Sequence, residues 1–368
     1  MKKNHSTVSR SLTTYGLQFL AGTLLFVLMF VFQPDAKAQT IVFEDDFNRN
    51  ESPLGPTGGN PLMTWTVVTS AQGYAKTELI GGSNYRLAIF NGATSTAAAS
   101  TTGRTYIHGP LSTFSSPFLP VLANNTGDIT WTFNIRTGRP DGAGFDATAN
   151  AYGYATVLCA TSSDFLTASG YVVTLRKGTS YNAVRLEKFA NGLVANENLT
   201  TIVGPSTELP GALNHYFSVK VVYTPTTNTW KFYSRYDGTS PVDPNGGVDP
   251  LTLVGTAIDS QYTSTPMTST GFFLNHQSTS WNSGNNKANF DNFRVVRDVF
   301  THTGDLEKEK PFVLNEDKLI VFKACDIYAS TGAKIAAVTE NEVHTGIRIE
   351  KGMYMIKTSD SVYKVIKP

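Results

Sequence analysis

Cysteine is almost absent from this chain, since Cys159 and Cys325 are the only two in 368 residues. Disulfides are therefore not expected to stabilise the fold, and we expect both thiols to be small buried side chains without a redox role. The six histidines are scattered, and no two of them have the spacing of a metal-ligating pair. The sequence thus gives no sign of a disulfide scaffold or of a histidine-based metal centre.

Charge is also sparse and balanced, with 30 Lys and Arg against 29 Asp and Glu and a net charge of +1. Nucleic acids and anionic membranes are bound by clustered excess Lys and Arg, so neither is expected as a partner. The abundant residues are instead Thr, Ser, Asn, Gly, Tyr and Phe. This composition is typical of an extracellular all-β domain with polar loops.

The first 38 residues have the layout of an export signal. Three basic residues precede an apolar run over Leu17–Phe32, and Ala36-Lys37-Ala38 supplies the small-x-small pattern that signal peptidase needs. The run falls short of the roughly 20 apolar residues that span a bilayer. We therefore expect cleavage after Ala38, a secreted protein, and no transmembrane anchor in the mature chain.

Strand patterns recur from Gln39 to Arg297, and no amphipathic helical pattern persists there. Trp131, Phe133 and Ile135 alternate with polar residues, as a strand with one buried face does. Similar alternation predicts hairpins around the turns Ala190-Asn191-Gly192 and Thr224–Asn228. Many strands of this kind in a chain of this length predict an all-β fold, with two antiparallel sheets packed as a sandwich.

The two ends of this region carry related motifs. Ile41–Arg49 reads IVFEDDFNR and Ala288–Val296 reads ANFDNFRVV. The pair resembles the first and last strands of concanavalin A-like, laminin-G-type jelly rolls. That resemblance implies a jelly-roll sandwich over residues 39–297 in which the first and last strands lie side by side.

The C-terminal end resembles a different module. Residues 298–312 are charged around Gly304–Pro311 and predict an exposed linker. Residues 313–368 read as short strands forming a small β-sandwich, and they are similar to the C-terminal sorting domain that Bacteroidetes-type bacteria use for type IX secretion. The resemblance implies the type IX machinery as a partner and delivery to the outer cell surface or the medium. Its motif residues here are Tyr328, Gly332, Lys351, Gly352, Tyr354 and Lys364.

Calcium is the one cofactor that the resemblance suggests. Jelly rolls of this class often hold a structural calcium near the junction of the terminal strands, which implies Asp46 and Asp291 as ligands. Hard cations take several oxygen ligands and leave little sequence signature, so surface aspartates that cap turns remain the alternative. Four aspartates in Gly- and Pro-rich loops are weaker candidates, namely Asp141, Asp146, Asp243 and Asp249.

Catalysis is less well supported by the sequence. Glycoside hydrolysis needs two carboxylates at a fixed separation. Jelly-roll glycosidases carry Glu-x-Asp-x-x-Glu on one strand, whereas here Glu44 and Asp46 are followed by Arg49 at the last position. No Gly-x-Ser-x-Gly or His-Glu-x-x-His motif is present either. Only carboxylates assembled from distant strands would supply such a pair.

Glycan binding needs aromatic rings for stacking beside a few polar donors. Arg136 and Arg176 lie on predicted polar strand faces, and Tyr152 and Tyr154 follow a Gly-rich loop. The loop Asn275–Asn286 offers four more candidates, His276, Gln277, Trp281 and Asn282. The alternative for Trp281 is that it covers an edge of the core.

The sequence therefore favours a secreted or cell-surface recognition protein without catalytic residues. Its most plausible ligand is the carbohydrate of a polysaccharide or glycoprotein. The alternatives are a polysaccharide hydrolase or lyase on the same scaffold, and an adhesin that binds protein.

Overall fold

The computed structural model describes residues 37–69, 73–90, 102–139, 142–149, 151–208, 214–245, 250–277, 287–300, 312–315, 318–321, 324–339, 346–359 and 362–367. The chain divides into two compact units, of which one is Lys37–Phe300 and the other includes Thr301–Pro368. Within the described ranges, no helix has the length and apolar character that a membrane span requires. Residues 1–36 of the predicted export signal lie outside these ranges, and the export signal stays a prediction.

Regular structure in the described ranges is β, apart from four single-turn 3₁₀ helices at Leu111–Thr113, Leu122–Asn124, Asn196–Asn198 and Pro225–Thr227. The strands are β1 Lys37–Asp45, β2 Thr57–Gly58, β3 Met63–Thr64, β4 Thr66–Thr69, β5 Tyr74–Gly81, β6 Asn84–Phe90, β7 Gly103–Pro110, β8 Ile129–Thr137, β9 Tyr152–Ala160, β10 Gly170–Lys177, β11 Asn182–Phe189, β12 Leu199–Val203, β13 His215–Thr224, β14 Thr229–Gly238, β15 Thr252–Ile258, β16 Ser269–His276, β17 Lys287–Phe300, β18 Phe312–Asn315, β19 Lys318–Val321, β20 Cys325–Ala329, β21 Lys334–Val338, β22 Gly346–Arg348, β23 Gly352–Lys357 and β24 Val362–Lys367.

The larger unit is a sandwich of two antiparallel sheets. Sheet 1 has the order β15-β14-β13-β8-β17-β6-β5, with β1 also paired to β17, and sheet 2 has the order β12-β11-β10-β9-β16-β7-β4. Apolar side chains from both sheets, such as Phe133 and Val219 opposite Leu158 and Val173, form one continuous core. The predicted all-β jelly-roll sandwich is therefore confirmed, because the period-2 alternation places one face of each strand in this core.

The central strands of sheet 2 are buried on both faces. Every residue of β9 and of β16 is buried. Tyr154 packs into the core between the sheets, whereas its neighbour Ala155 packs into a second core on the opposite face with Phe145, Phe165 and Phe189. This double burial explains why β9 and β16 lack the alternation of polar and apolar residues that marks the strands of sheet 1.

The first and last strands of the sandwich pair directly, as predicted. Phe43 lies opposite Val295, Asp45 lies opposite Phe293, and the rings of Phe43 and Phe293 are 6.0 Å apart. The pairing also extends further than predicted, from Lys37 opposite Phe300 inward. Residues 298–300 are thus part of β17 rather than of the linker that the sequence predicted.

Strand β17 changes partners part-way along one edge. Its residues 287–290 pair with β6, and its residues 293–300 pair with β1. Between the two pairings the strand bulges, and Asn292 has a φ of 50°. In the segment that faces this bulge, Phe47 has a φ of 53°. Strand β1 therefore ends at Asp45 and not at Arg49 as the sequence suggested.

The buried carboxylate of Asp45 holds this junction together. It accepts hydrogen bonds from the backbone N–H of Phe47 at 2.8 Å, from Arg49 Nη1 at 2.6 Å and from Trp65 Nε1 at 2.9 Å. Burial lowers the pKa of Arg49, but the hydrogen bond and charge of Asp45, followed by those of Glu51, outweigh burial and raise this pKa. Two donors from the turn after β1 and one from Trp65 are thus fixed by one side chain that is 1% exposed.

Replacing Asp45 with alanine should destabilise the larger unit strongly. The substitution leaves the indole N–H of Trp65, the amide of Phe47 and a partly buried guanidinium without their acceptor. We expect a loss of about 3 kcal/mol in the free energy of unfolding, measured by urea denaturation.

The matched control is Asp46→Ala, measured in the same buffer with chelator. The Asp46 side chain is exposed and, among the described residues, accepts the backbone N–H of Asn48, so its loss should cost about 1 kcal/mol or less. Equal effects of the two substitutions would contradict the role given to Asp45.

The smaller unit is a separate two-sheet module. Its sheets have the orders β18-β19-β22 and β21-β20-β23-β24, and both contribute to one core around Leu319, Ile327 and Ile356. Gly332 has a φ of 85° in the turn between β20 and β21, as its predicted turn position requires. Cys159 and Cys325 are both free and buried, as expected from the sequence.

Candidate functional site

A cleft of about 420 Å³ opens at the junction of the terminal strands. We call it the junction cleft. Most of its walls are charged or amide side chains, and the lining residues are Glu44, Asp45, Asp46, Arg49, Gly59, Asn60, Asp243, Asn245, Asn292, Phe293 and Arg294. The two predicted metal ligands, Asp46 and Asp291, both belong to this region because the β1–β17 pairing brings their strands together.

Asp291 has the most perturbed carboxylate in this region. Its residue is 2% exposed, and it accepts a hydrogen bond from the backbone N–H of Asn292 at 3.0 Å. Burial raises the pKa of Asp291 to about 7, and the charges of Asp46 and Asp243 act in the same direction, whereas the Asn292 bond and Arg86 oppose the rise. Asp46 and Asp243 are therefore both within electrostatic range of Asp291.

Asp243 reaches the cleft on a loop that follows β14. The carboxylate of Asp237 accepts bonds from Arg235 Nε at 2.7 Å, from Ser218 Oγ at 2.6 Å and from the N–H of Val242 at 3.1 Å. These bonds fold the loop back across the outer face of sheet 1. Sequence reasoning ranked Asp243 among the weaker candidates because nothing in the chain marks this return.

Polar groups in the junction cleft are held in fixed positions. The backbone of Asn60 exchanges two hydrogen bonds with that of Glu44, at 2.9 and 2.7 Å. Arg294 Nε donates to Glu44 at 3.1 Å, and Thr132 Oγ1 donates to the side-chain oxygen of Asn245 at 2.9 Å. The cleft therefore presents carboxylates, amides and a guanidinium without needing large rearrangement.

The donor chemistry of the cleft suits a hard cation, because carboxylate and amide oxygens are the ligands that Ca²⁺ prefers. Among the residues that the structure describes, no three His, Cys, Asp or Glu side chains stand close enough to hold a metal ion by themselves. A cation held by Asp46 and Asp291 would thus need amide or backbone oxygens, or water, for the rest of its shell.

The raised pKa of Asp291 predicts an unusual pH dependence in calcium-free buffer. The folded chain keeps this proton up to about pH 7, whereas the unfolded chain loses it near 3.8. The free energy of unfolding should therefore fall as pH rises through this window, by up to about 1.4 kcal/mol per pH unit.

Denaturation at several pH values, compared between the wild type and Asp291→Asn, isolates this effect from other titrating groups. The asparagine variant should lack the downward slope and be the more stable of the two at pH 7. Parallel curves for the two proteins would show that Asp291 titrates normally.

Four residues predicted to bind ligand are buried beneath or between the sheets. Tyr152, Tyr154 and His276 are at most 4% exposed, and Gln277 is 8% exposed. His276 packs edge-on against Tyr152 at 5.1 Å, and Arg139 donates to the Tyr152 hydroxyl at 2.8 Å. These rings offer no free face to a sugar, because Tyr152 and Tyr154 pack in the core between the sheets and His276 packs against Tyr152.

The two predicted arginines have different surroundings. Arg176 forms an ion pair with Glu187 at 2.8 Å, and Thr174 and Thr201 also donate to that fully buried carboxylate. Arg176 therefore neutralises a buried charge. Arg136 is 7% exposed on the other sheet and has no carboxylate partner among the described residues.

Trp281 and Asn282, the remaining predicted ligand residues, lie outside the described residues, as do Asp141 and Asp249. The role of Trp281 stays a prediction. Asp146 lies elsewhere, where its carboxylate accepts the backbone N–H of Asn196 at 2.8 Å.

Two motif residues of the smaller unit make contacts within it, and the other four are exposed. The Tyr354 hydroxyl donates to the carbonyl of Glu350 at 2.7 Å, and its ring is in the core. Tyr328 is half-buried, with its hydroxyl 3.2 Å from Asp326. The other side chains and the turn glycines are exposed, namely Gly332, Lys351, Gly352 and Lys364.

No protein-family model matches the chain, and no curated protein matches its sequence. Solved structures with a similar layout include the catalytic domain of a GH131 β-glucanase from Podospora anserina, at 13% identity and a TM-score of 0.39, covering 73% of this chain and 97% of that one. The Lotus tetragonolobus seed lectin has 12% identity and a TM-score of 0.37, covering 72% and 99%. The carbohydrate recognition domain of Emp46p has 10% identity and a TM-score of 0.36, covering 63% and 87%. Likeness at this level carries no inference about ligand or activity.

Proposed function

We propose that this protein is a secreted carbohydrate-binding protein that recognises sugar hydroxyl groups in the junction cleft. The observation that supports this proposal is the set of amide and charged side chains held around the buried carboxyl group of Asp291, whose pKa is raised. Sugar hydroxyls both donate and accept hydrogen bonds, so they match a cleft that offers Asn60, Asn245 and Arg294 beside Glu44 and Asp46.

Asp46 and Asp291 would hold a calcium ion in this proposal, with Asp243 beside them. Calcium supplies positive charge and oxygen-seeking coordination sites when bound. The protein's own contribution is to place Asp46 and Asp243 within electrostatic range of the buried Asp291. Coordination would also require Asp291 to be ionised, so calcium affinity should fall below about pH 7.

Calcium should raise the melting temperature of the wild type at neutral pH, and glycan arrays probed in calcium should reveal a carbohydrate ligand. Asp291→Asn and Asp46→Asn should each lose the calcium-dependent shift, because each removes one carboxylate. Glycan binding should weaken in parallel if the cation orders the cleft.

The control is Asp326→Asn, which changes an exposed aspartate in the smaller unit that pairs with Lys334 at 2.7 Å. This variant should keep the calcium shift and the glycan signal. Identical melting curves with calcium and with chelator would refute the calcium site, and binding to no glycan would refute carbohydrate recognition.

A polysaccharide hydrolase is the second candidate, and Asp291 is the observation that favours it. A carboxylic acid with a pKa of about 7, near the side chains of Asp46 and Asp243, resembles the raised-pKa general acid that glycosidases use. Release of reducing ends from an array polysaccharide, lost in Asp291→Asn, would favour catalysis over recognition.

Export by the type IX route is the second part of the proposal, and it rests on the export signal and the motif residues of the smaller unit. Deletion of Val313–Pro368 should leave the larger unit trapped in the periplasm, because the sorting module would be missing. Cell fractionation and surface proteolysis measure the outcome.

A full-length chain with Asp326→Asn is the matched control, since it changes a residue of the smaller unit that lies outside the motif and pairs with Lys334 at 2.7 Å. It should still reach the surface. Surface delivery of the truncated chain would refute the sorting assignment.

A further inference from the structure

A second group of polar side chains crosses the outer face of sheet 1. In neighbouring strands Asn289 lies opposite Arg136, and Arg136 lies opposite Tyr216. Arg86 joins them from β6, on the far side of β17. The residues between them along each strand, such as Ile135 and Phe290, belong to the core, so these four point to the opposite face. We call them the arginine cluster.

The arginine cluster gathers more positive than negative charge. The guanidinium carbons of Arg86 and Arg136 lie 5.5 and 5.7 Å from the centre of the Tyr216 ring. Arg86 Nη2 donates to Glu78 at 3.0 Å, and Lys287 pairs with the same carboxylate. Arg86 and Lys287 thus share one carboxylate, and among the described residues Arg136 bonds to the neutral amide oxygen of Asn289.

Buried hydrogen-bonding groups in the cluster are left without partners. Arg86 and Arg136 are each 7% exposed and Tyr216 is fully buried. The Nε atoms of both arginines and the Tyr216 hydroxyl make no hydrogen bond with any part of the chain that the structure describes. Buried donors are nearly always satisfied in native proteins, so this arrangement indicates an acceptor supplied from outside.

The electrostatics of the cluster point the same way. Burial, and then the charge of Arg86, lower the pKa of Arg136 to about 10, despite opposing contributions from Glu78 and Tyr154. Burial also lowers the pKa of Lys287, and both arginines add to the fall that Glu78 opposes. An additional anion would relieve this repulsion.

We propose that the arginine cluster binds the carboxylate of an acidic sugar, which adds to the proposed carbohydrate recognition a preference for uronate-containing glycans. This inference rests on that proposed function, but it concerns a different site from the junction cleft. Lys287, Glu78 and Arg86 already alternate in charge. A bound carboxylate beside Arg136 would continue this alternation, with the carboxylate as the next anion and Arg136 as the next cation. The planar guanidinium matches a carboxylate with two parallel hydrogen bonds.

Binding of polygalacturonate, dextran sulfate and neutral dextran to the full chain tests the inference. We expect the wild type to prefer polygalacturonate, and Arg136→Met to weaken that binding at least about tenfold, the loss typical of a charged hydrogen-bonded pair. Melting temperatures supply a second readout. Galacturonate should raise that of the wild type and leave that of Arg136→Met unchanged.

A merely structural role for Arg136 predicts the opposite pattern of stability. Arg136→Met should melt no lower than the wild type without ligand, because it removes a repelled buried charge and keeps a side chain of similar length. The matched control is Arg297→Met. Arg297 is 6% exposed with an unpartnered Nε among the described residues, but it donates to Pro117 and Thr126 away from the cluster. This control should bind polygalacturonate normally.

The outcomes separate this inference from the broader proposal. Binding of neutral glycans, with no preference for polygalacturonate and no effect of Arg136→Met, would overturn the acidic-sugar site while leaving carbohydrate recognition intact. A preference for dextran sulfate over polygalacturonate would also overturn it. Binding to no glycan of any kind would contradict both.

Discussion

The sandwich depends on one strand with two partners. Strand β17 pairs with β6 over residues 287–290 and with β1 over residues 293–300. Strand β1 must therefore leave the edge of β17 at the point where β6 takes its place. Asp45 makes this possible by accepting three hydrogen bonds from Phe47, Arg49 and Trp65 inside the fold. A buried carboxylate is unfavourable unless it is fully paired, so these bonds fix the local path of the chain as well as stabilising it.

The same break in pairing creates the chemistry of the junction cleft. A regular ladder would turn the side chain of Asp291 to one face and pair its neighbours, whereas the bulge at Asn292 leaves Asp291 buried near Asp46 and Asp243. Like charges at short range in a poorly solvated site raise a carboxyl pKa. The fold therefore stores an electrostatic strain at the place where a cation or a proton can relieve it.

Local sequence patterns predicted much of the architecture. The strict alternation around Trp131 predicted β8 and its buried face, and the motifs at Phe43 and Phe293 predicted that the ends of the sandwich meet. Tyr152, after a Gly-rich loop, and His276, in a predicted loop, were expected to bind ligand and are buried instead. Local composition did not reveal that β9 begins at Tyr152 and β16 ends at His276, with the Tyr152 ring in the core between the sheets and His276 packed against it.

By itself, then, the sequence determined the class of fold, the pairing of its first and last strands, and the strands of the smaller unit, because these follow from period-2 hydrophobicity and turn residues close together in the chain. Only the tertiary structure decided which charges meet. Asp243 joins Asp46 through a loop folded back by Asp237, and Arg86 approaches Arg136 across an intervening strand. Electrostatic interactions depend on distance in space, and residues far apart in sequence carry no local signal of that distance.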